Sequence, residues 1–188
     1  MNDQPNFTPL KRGATIGILG DGQLGRMLCM AASRLGYKTH VYGPNKNGPA
    51  VHVCSEHTVG PYEDLDGIHE FAKNCDIVTY EFENVPEFTA KAALTTTPLR
   101  PGLKALKTAQ DRLVEKTFLR DTANVPVAGF EDVNNVFDLT RAVKKLGYPC
   151  VLKTRRFGYD GKGQYVIKSK DDIETCLLYT SPSPRDRG

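Results

Sequence analysis

Apolar positions along the chain follow two rhythms. "ATIGIL" (residues 14–19) is a short continuous apolar run, whereas beyond it Leu24, Met27, Leu28, Ala31 and Leu35 recur at helical spacing. The first pattern predicts a buried strand and the second one face of a helix, stopped at Gly36. "KTHVYG" predicts a second strand, "DLDGIHEFAKN" a helix and "CDIVTYEF" a third strand. "PEFTAKAAL" predicts another helix, with Pro86 in its first turn. Strands alternating with helices predict a parallel, helix-covered sheet. This α/β, Rossmann-like pattern occupies residues 13–100 and ends at "TTTPLRP", where two prolines break it.

From residue 101 the rhythm turns helical through "LKALKTAQDRLVEKTFLRDTA", then extended or strand-like at "VPVAGF". In "NNVFDLTRAVKKLGY", Val136, Leu139, Val143 and Leu146 share a helical face that Gly147 ends. "YPCVL" and "YVI" predict two strands around the loop that starts at Lys153, and "SKDDIETC" predicts a helix with Ser169 as N-cap. Residues 101–176 thus form a second region. Residues 177–188, "LYTSPSPRDRG" with its preceding leucine, abandon the pattern and read as a disordered, unrelated-looking tail. The chain is therefore expected to be cut short there, with a natural flexible tail as the alternative.

Composition adds limits. The chain has 188 residues, 39% of them hydrophobic, which suffices for one good core or two small ones. The net charge of +3 and the lack of a long basic run give no pull toward nucleic acid. No stretch is long and apolar enough for a membrane span. Residues 1–12 form a polar leader without the apolar centre of a secretory signal. Five widely spaced cysteines without a C-x-x-C pair fit a reducing, cytoplasmic setting, and the four scattered histidines show no zinc spacing.

Two stretches carry candidate chemistry. Gly20, Gly22 and Gly25 form G-x-G-x-x-G between a predicted strand and helix, a context for an anion on the helix N-terminus. No Asp or Glu occurs between Gly25 and Glu56, so the acid that would hold the ribose of NAD is missing. The loop then holds a monophosphate, or only packs helix on strand. "YEFENVP" puts Glu81 and Glu83 at the carboxyl end of a predicted parallel strand, where two carboxylates two residues apart share one face. They are placed to hold an amine, a ribose hydroxyl or a cation, unless one caps the helix entered at Pro86.

The second stretch is "KTRRFGYDGKGQYVI". It is longer than a hairpin turn needs, and Gly158, Gly161 and Gly163 let the backbone approach a ligand closely. Lys153, Arg155, Arg156 and Lys162 are placed to meet an anion, as a phosphate-covering flap or as a solvated basic hairpin.

Taken in order, "GILGDGQLGRML", "DIVTYEFENVPE", "AQDRLVEKTFLRD" and "GYPCVLKTRRFGYDGKGQYVI" resemble the amino-terminal part of the 5-(carboxyamino)imidazole ribonucleotide synthases. These are the ATP-grasp carboxylases of purine biosynthesis. The resemblance spans residues 13–176. Two departures stand out: Asp21 where a third glycine is common, and Gly43 where an aspartate is common before Pro44. The resemblance implies a pre-ATP-grasp domain at 13–100 and an incomplete ATP-grasp lobe from 101. It also implies ATP-driven formation of carboxyphosphate from bicarbonate, with capture of the released carbon dioxide by the amine of 5-aminoimidazole ribonucleotide.

Carried over residue by residue, Arg112, Lys153, Gly158, Tyr159, Asp160, Gly161, Lys162, Gly163 and Gln164 would bind ATP. Asp160 and Lys162 would also serve catalysis near the imidazole. Gly20, Gly22, Gln23, Leu24 and Glu81 would line the ribonucleotide side. The full-length enzymes would be homodimers using magnesium, whose ligands would fall outside this chain along with the adenine-binding linker, so the chain alone is expected to be inactive. A formate-dependent glycinamide ribonucleotide transformylase shares "GKGQ" but lacks "YEFENVP", and remains the rival, together with a non-catalytic fragment.

Overall fold

The structure, a computed structural model, describes residues 9–158 and 162–173. The start of the leader, the loop tip at 159–161 and everything from 174, including the tail at 177–188, lie outside the described residues. The chain divides into two compact units, Met1–Lys107 and Thr108–Gly188.

In the first unit the apolar run forms β1 (Thr15–Leu19), followed by α1 (Gln23–Arg34) and β2 (Lys38–Gly43). Then come β3 (Glu56–Val59), α2 (Leu65–Lys73), β4 (Ile77–Tyr80) and α3 (Glu87–Thr96). The four strands are parallel in the order β3-β2-β1-β4. Successive side chains alternate between the two faces. Leu19 and Tyr42 join the core under α2 and α3 with Phe71, Val78 and Ala90, whereas Ile18 and Val41 meet Cys29 of α1. Strand β3 was not expected, because its sequence "EHTV" is polar and offers no apolar run.

The apolar periodicity of α1 is real, but its direction differs from what a core helix would show. The residues facing the sheet are Gly25, Cys29 and Ala32. Leu24, Met27, Leu28 and Leu35 are turned outward, Leu35 being 67% exposed. Small side chains let the helix axis approach the strands closely, so the larger apolar side chains end up on the opposite side.

The helical stretch from residue 103 is two helices, α4 (Leu103–Gln110) and α5 (Arg112–Asp121). Asp111 separates them in an extended conformation, its carboxylate accepting from the amides of Leu113 and Val114 at 2.9 and 3.3 Å. It is an N-cap, and a carboxylate there also meets the positive end of α5. The "VPVAGF" segment forms no strand. Helix α6 (Val136–Leu146) is capped by Asn135 and ended by Gly147 at φ +82°. Its buried residues Leu139 and Val143 pack on Cys150, Leu152, Tyr165 and Ile167, the inner face of the antiparallel pair β5 (Cys150–Lys153) and β6 (Gln164–Ile167). Ser169 donates its amide and hydroxyl to the Asp172 carboxylate, so the acid three residues on supplies one half of a capping box. Among the described residues no helix is long and apolar enough to cross a membrane.

Candidate functional site

In the parallel sheet the chain leaves β1 toward β2 on one side and returns to β4 on the other. The carboxyl ends of β1 and β4 therefore flank a topological switch point, where ligands of open α/β sheets bind. Gly20 to Gly25 follow β1, and Glu81 follows β4 with its amide bonded to Leu19 O at 3.1 Å. The Glu81 carboxylate reaches across the switch point. One oxygen accepts from Gly22 N at 2.8 Å and the other from Gly25 N.

This contact explains the glycines. A β-carbon on Gly20, at φ +126°, would stand 2.2 Å from Glu81 Cγ, and one on Gly25 would stand 2.8 Å from Gly20 O. Helix α1 has no side-chain cap from Gly22, so Glu81 supplies both the acceptor and the negative charge its N-terminus favours. Of the two readings of the glycine loop, packing of helix on strand is the one the geometry displays. A phosphate on the amides of Gly22 and Gly25 would have to displace Glu81. Glu81 caps α1 and not the helix that follows Pro86. Because β4 ends at Tyr80, Glu81 and Glu83 do not share a strand face; Glu83 is exposed beside Asn84. Gln23 and Leu24 sit exposed in the first turn of α1. Burial first, and then the charges of Asp21 and Glu81, push the Tyr62 phenol well up from its ordinary value.

In the second unit, Arg112 and Lys153 line one cavity of about 530 Å³, together with Val151 and Arg155. The outer face of β5 and β6 is open. Val151 pairs with Val166 and Lys153 with Gln164, and all four side chains are exposed. A pair of valines thus lies two residues from a lysine on one sheet face, a signal hidden in the alternation of "CVLK" and "QYVI" and not singled out from the sequence.

The glycine-rich loop is closed at its neck. Thr154 N donates to Gly163 O at 2.8 Å, one step beyond the last ladder pair. A β-carbon at Gly158 or Gly163 would meet Thr154 Oγ1 at 2.7 or 2.5 Å, and Gly163 has φ +67°. A side chain at either position would crowd Thr154, and at Gly163 the positive φ favours glycine as well. Lys162 and Gln164 stand exposed on the far side of the neck. The expected ligands Tyr159, Asp160 and Gly161 lie outside the described residues.

Arg155 and Arg156 are held by partners within the protein, which corrects the expectation that all four loop cations face an anion. Arg155 makes a forked contact with Asp111, with Nη2–Oδ2 at 2.8 Å and Nε at 3.1 Å from both oxygens. That hydrogen bond holds the Asp111 carboxyl below its ordinary value, and it raises Arg155 in return. Arg156 Nη2 donates to Gln110 Oε1 at 3.1 Å and its guanidinium lies 5.4 Å from the Phe157 ring centre. Gln110 and Asp111 were missed as partners of the loop. Asp before "RLVE" is a legible helix start, but its second partner 44 residues away is not.

Among the described residues no group of three or more His, Cys, Asp and Glu side chains is placed to hold a metal ion. The magnesium implied by the resemblance finds no ligand set in these residues.

Comparison with known proteins matches both regions of the chain to known domain families. Residues 13–110 match the ribonucleotide synthetase preATP-grasp domain, and residues 118–184 match the ATP-grasp domain. The N5-carboxyaminoimidazole ribonucleotide synthase of Staphylococcus aureus (strain COL) is 40% identical over 169 residues, covering 90% of this chain and 45% of that protein. The crystal structure of the Staphylococcus aureus N5-carboxyaminoimidazole synthetase complexed with ADP superposes with a TM-score of 0.85 at 39% identity, over 94% of this chain and 48% of that one. The Aspergillus clavatus N5-carboxyaminoimidazole synthase in complex with ADP and 5-aminoimidazole ribonucleotide superposes with a TM-score of 0.78 at 29% identity, over 92% and 45%. The chain spans less than half the length of these relatives. It belongs to the ribonucleotide synthetase preATP-grasp family, and it carries the preATP-grasp domain together with part of an ATP-grasp domain.

Proposed function

We propose that the second unit holds the phosphates of ATP, and that in the whole protein this serves carboxylation of 5-aminoimidazole ribonucleotide with bicarbonate. The observation that carries the reading is the convergence of Arg112 and Lys153 on one cavity, at the root of a glycine-rich loop. Arg112 and Lys153 supply positive charge, and Val151 and Val166 offer the flat base an apolar surface. The loop from Gly158 to Gln164, with Lys162, covers the phosphates and excludes water from carboxyphosphate, which water would destroy. Asp160 and Lys162 serve the imidazole side. Gln23, Leu24 and the glycine loop line the ribonucleotide side, with Glu81 fixing their backbone.

The likeness to proteins solved with ADP and with 5-aminoimidazole ribonucleotide supports the substrate classes. A homodimer and a magnesium-dependent phosphoryl transfer would be properties of the whole protein. The chain itself is tested by titration with a fluorescent ATP analogue and with 5-aminoimidazole ribonucleotide. Saturable binding of the analogue, weakened by Lys153→Ala, is expected; no binding at about millimolar analogue would reject the reading.

A further inference from the structure

Loop root and helix corner are joined by a set of contacts that the nucleotide reading does not require. Residues 110–112 and 155–156 pair almost one to one. Gln110 accepts from Arg156, Asp111 accepts the fork of Arg155, and Arg112 N donates to Arg155 O at 3.0 Å. Two of the cations assigned to phosphate are tied to this clasp: Arg112 belongs to it, directly after Asp111, and Lys153 precedes Arg155 by two residues.

The clasp uses the break between α4 and α5. An uninterrupted helix would tie the amide of Arg112 to the preceding turn. Because Asp111 is extended, that amide is free to meet the loop root, and the Asp111 carboxylate caps α5 while gripping Arg155. A forked guanidinium–carboxylate contact fixes orientation as well as distance. Its site is only partly exposed on the carboxylate side, at 19%.

Resting on the nucleotide reading, we infer that Asp111 is a positioning residue: through Arg155 it holds the root of the glycine loop on the first turn of α5, and so sets the separation of Arg112 and Lys153 across the cavity. Electrostatics alone argues for the opposite effect. A carboxylate beside a phosphate site repels the ligand, so its removal would tighten binding. Positioning predicts that its removal weakens binding, and the sign separates the two.

The test uses Asp111→Asn, since asparagine caps helices as well as aspartate but cannot give Arg155 a charged fork. Arg155→Met and the double variant complete a cycle. For the fluorescent ATP analogue, each single variant is expected to raise Kd about tenfold, with the double variant no worse than either. Melting temperatures should stay close to that of the unaltered chain, and hydrogen exchange at the Arg112 amide should accelerate. An Asp111→Asn Kd that is unchanged or lower overturns the proposal while leaving the nucleotide site standing. No analogue binding by the unaltered chain overturns both. Losses in the double variant that add would show two independent contributions and would also overturn the clasp.

Discussion

Asp21 occupies the space that a side chain at position 43 would need. A β-carbon on Gly43 would lie 2.3 Å from Asp21 Oδ2, and that same oxygen accepts from Asn45 N at 2.7 Å. The two departures from the family pattern, an acid gained at 21 and an acid absent at 43, are thus one event in space. The carboxylate that anchors the turn after β2 comes from the glycine loop.

Gly43→Asp should therefore cost about 1–3 kcal/mol through overpacking. Combined with Asp21→Gly, the same change should recover most of that loss, because the space and the acceptor are both restored. Urea unfolding of the two single variants and the double variant measures the coupling. Additive losses would contradict the exchange.

Removing the far cap of α1 gives a second test. Glu81→Ala leaves the amides of Gly22 and Gly25 without their acceptor and should destabilise the first unit by about 1–3 kcal/mol. Exchange at those two amides should rise more than at the centre of α1. Equal rates before and after would show that the carboxylate contributes little.

How much of this was legible depends on the distance over which each feature is decided. The strand–helix alternation and the glycine loop are local patterns, and they were readable. The outward turn of Leu24, Met27 and Leu28 was not. Periodicity identifies a helix face but says nothing of which side meets the sheet, and small residues at Gly25, Cys29 and Ala32 won that contact. Strand β3 forms because β2 offers a free edge, not because "EHTV" is apolar. Glu81 was picked out as a site residue, but its hold on Gly22 depends on β4 lying next to β1, a matter of topology. The same reason hid the partners of Arg155 and Arg156.

The loop cations should now separate into two classes. Lys153→Ala should weaken nucleotide binding by about 1.5–3 kcal/mol, and Lys162→Ala similarly in the longer relatives' context, as charge-assisted phosphate contacts do. Arg156→Ala should weaken it less, since its guanidinium is held by Gln110. Isothermal titration with ADP distinguishes these outcomes, and a larger loss for Arg156→Ala than for Lys153→Ala would refute the division.

His40 predicts the response to acid. Its Nε2 is 2.8 Å from Thr58 Oγ1, its ring stacks edge-on against Phe71, and Nδ1 stands 3.7 Å from Glu56. Burial lowers its pKa from the ordinary 6.5; Glu56 opposes this and His57 adds to it. A base with a folded pKa below its unfolded value is bound by more protons when unfolded, so stability is full above pH 6.5 and falls as pH drops toward the folded pKa. The slope for one proton is at most about 1.4 kcal/mol per pH unit. Stability curves between pH 7.5 and 5.5 should flatten in His40→Gln, within the approximate limits set by that single proton.

The reach of Glu81 to Gly22 also sets an order of events during synthesis. Helix α1 leaves the ribosome without an acceptor for its first amides, since Gly22 has no side chain to give them one. The acceptor is 59 residues further along. At roughly 5–20 residues per second, translation delivers it about 3–12 seconds later. Until β4 docks beside β1, the start of α1 depends on water alone, and the growing chain carries its outward leucines on a helix whose first turn is still free to fray.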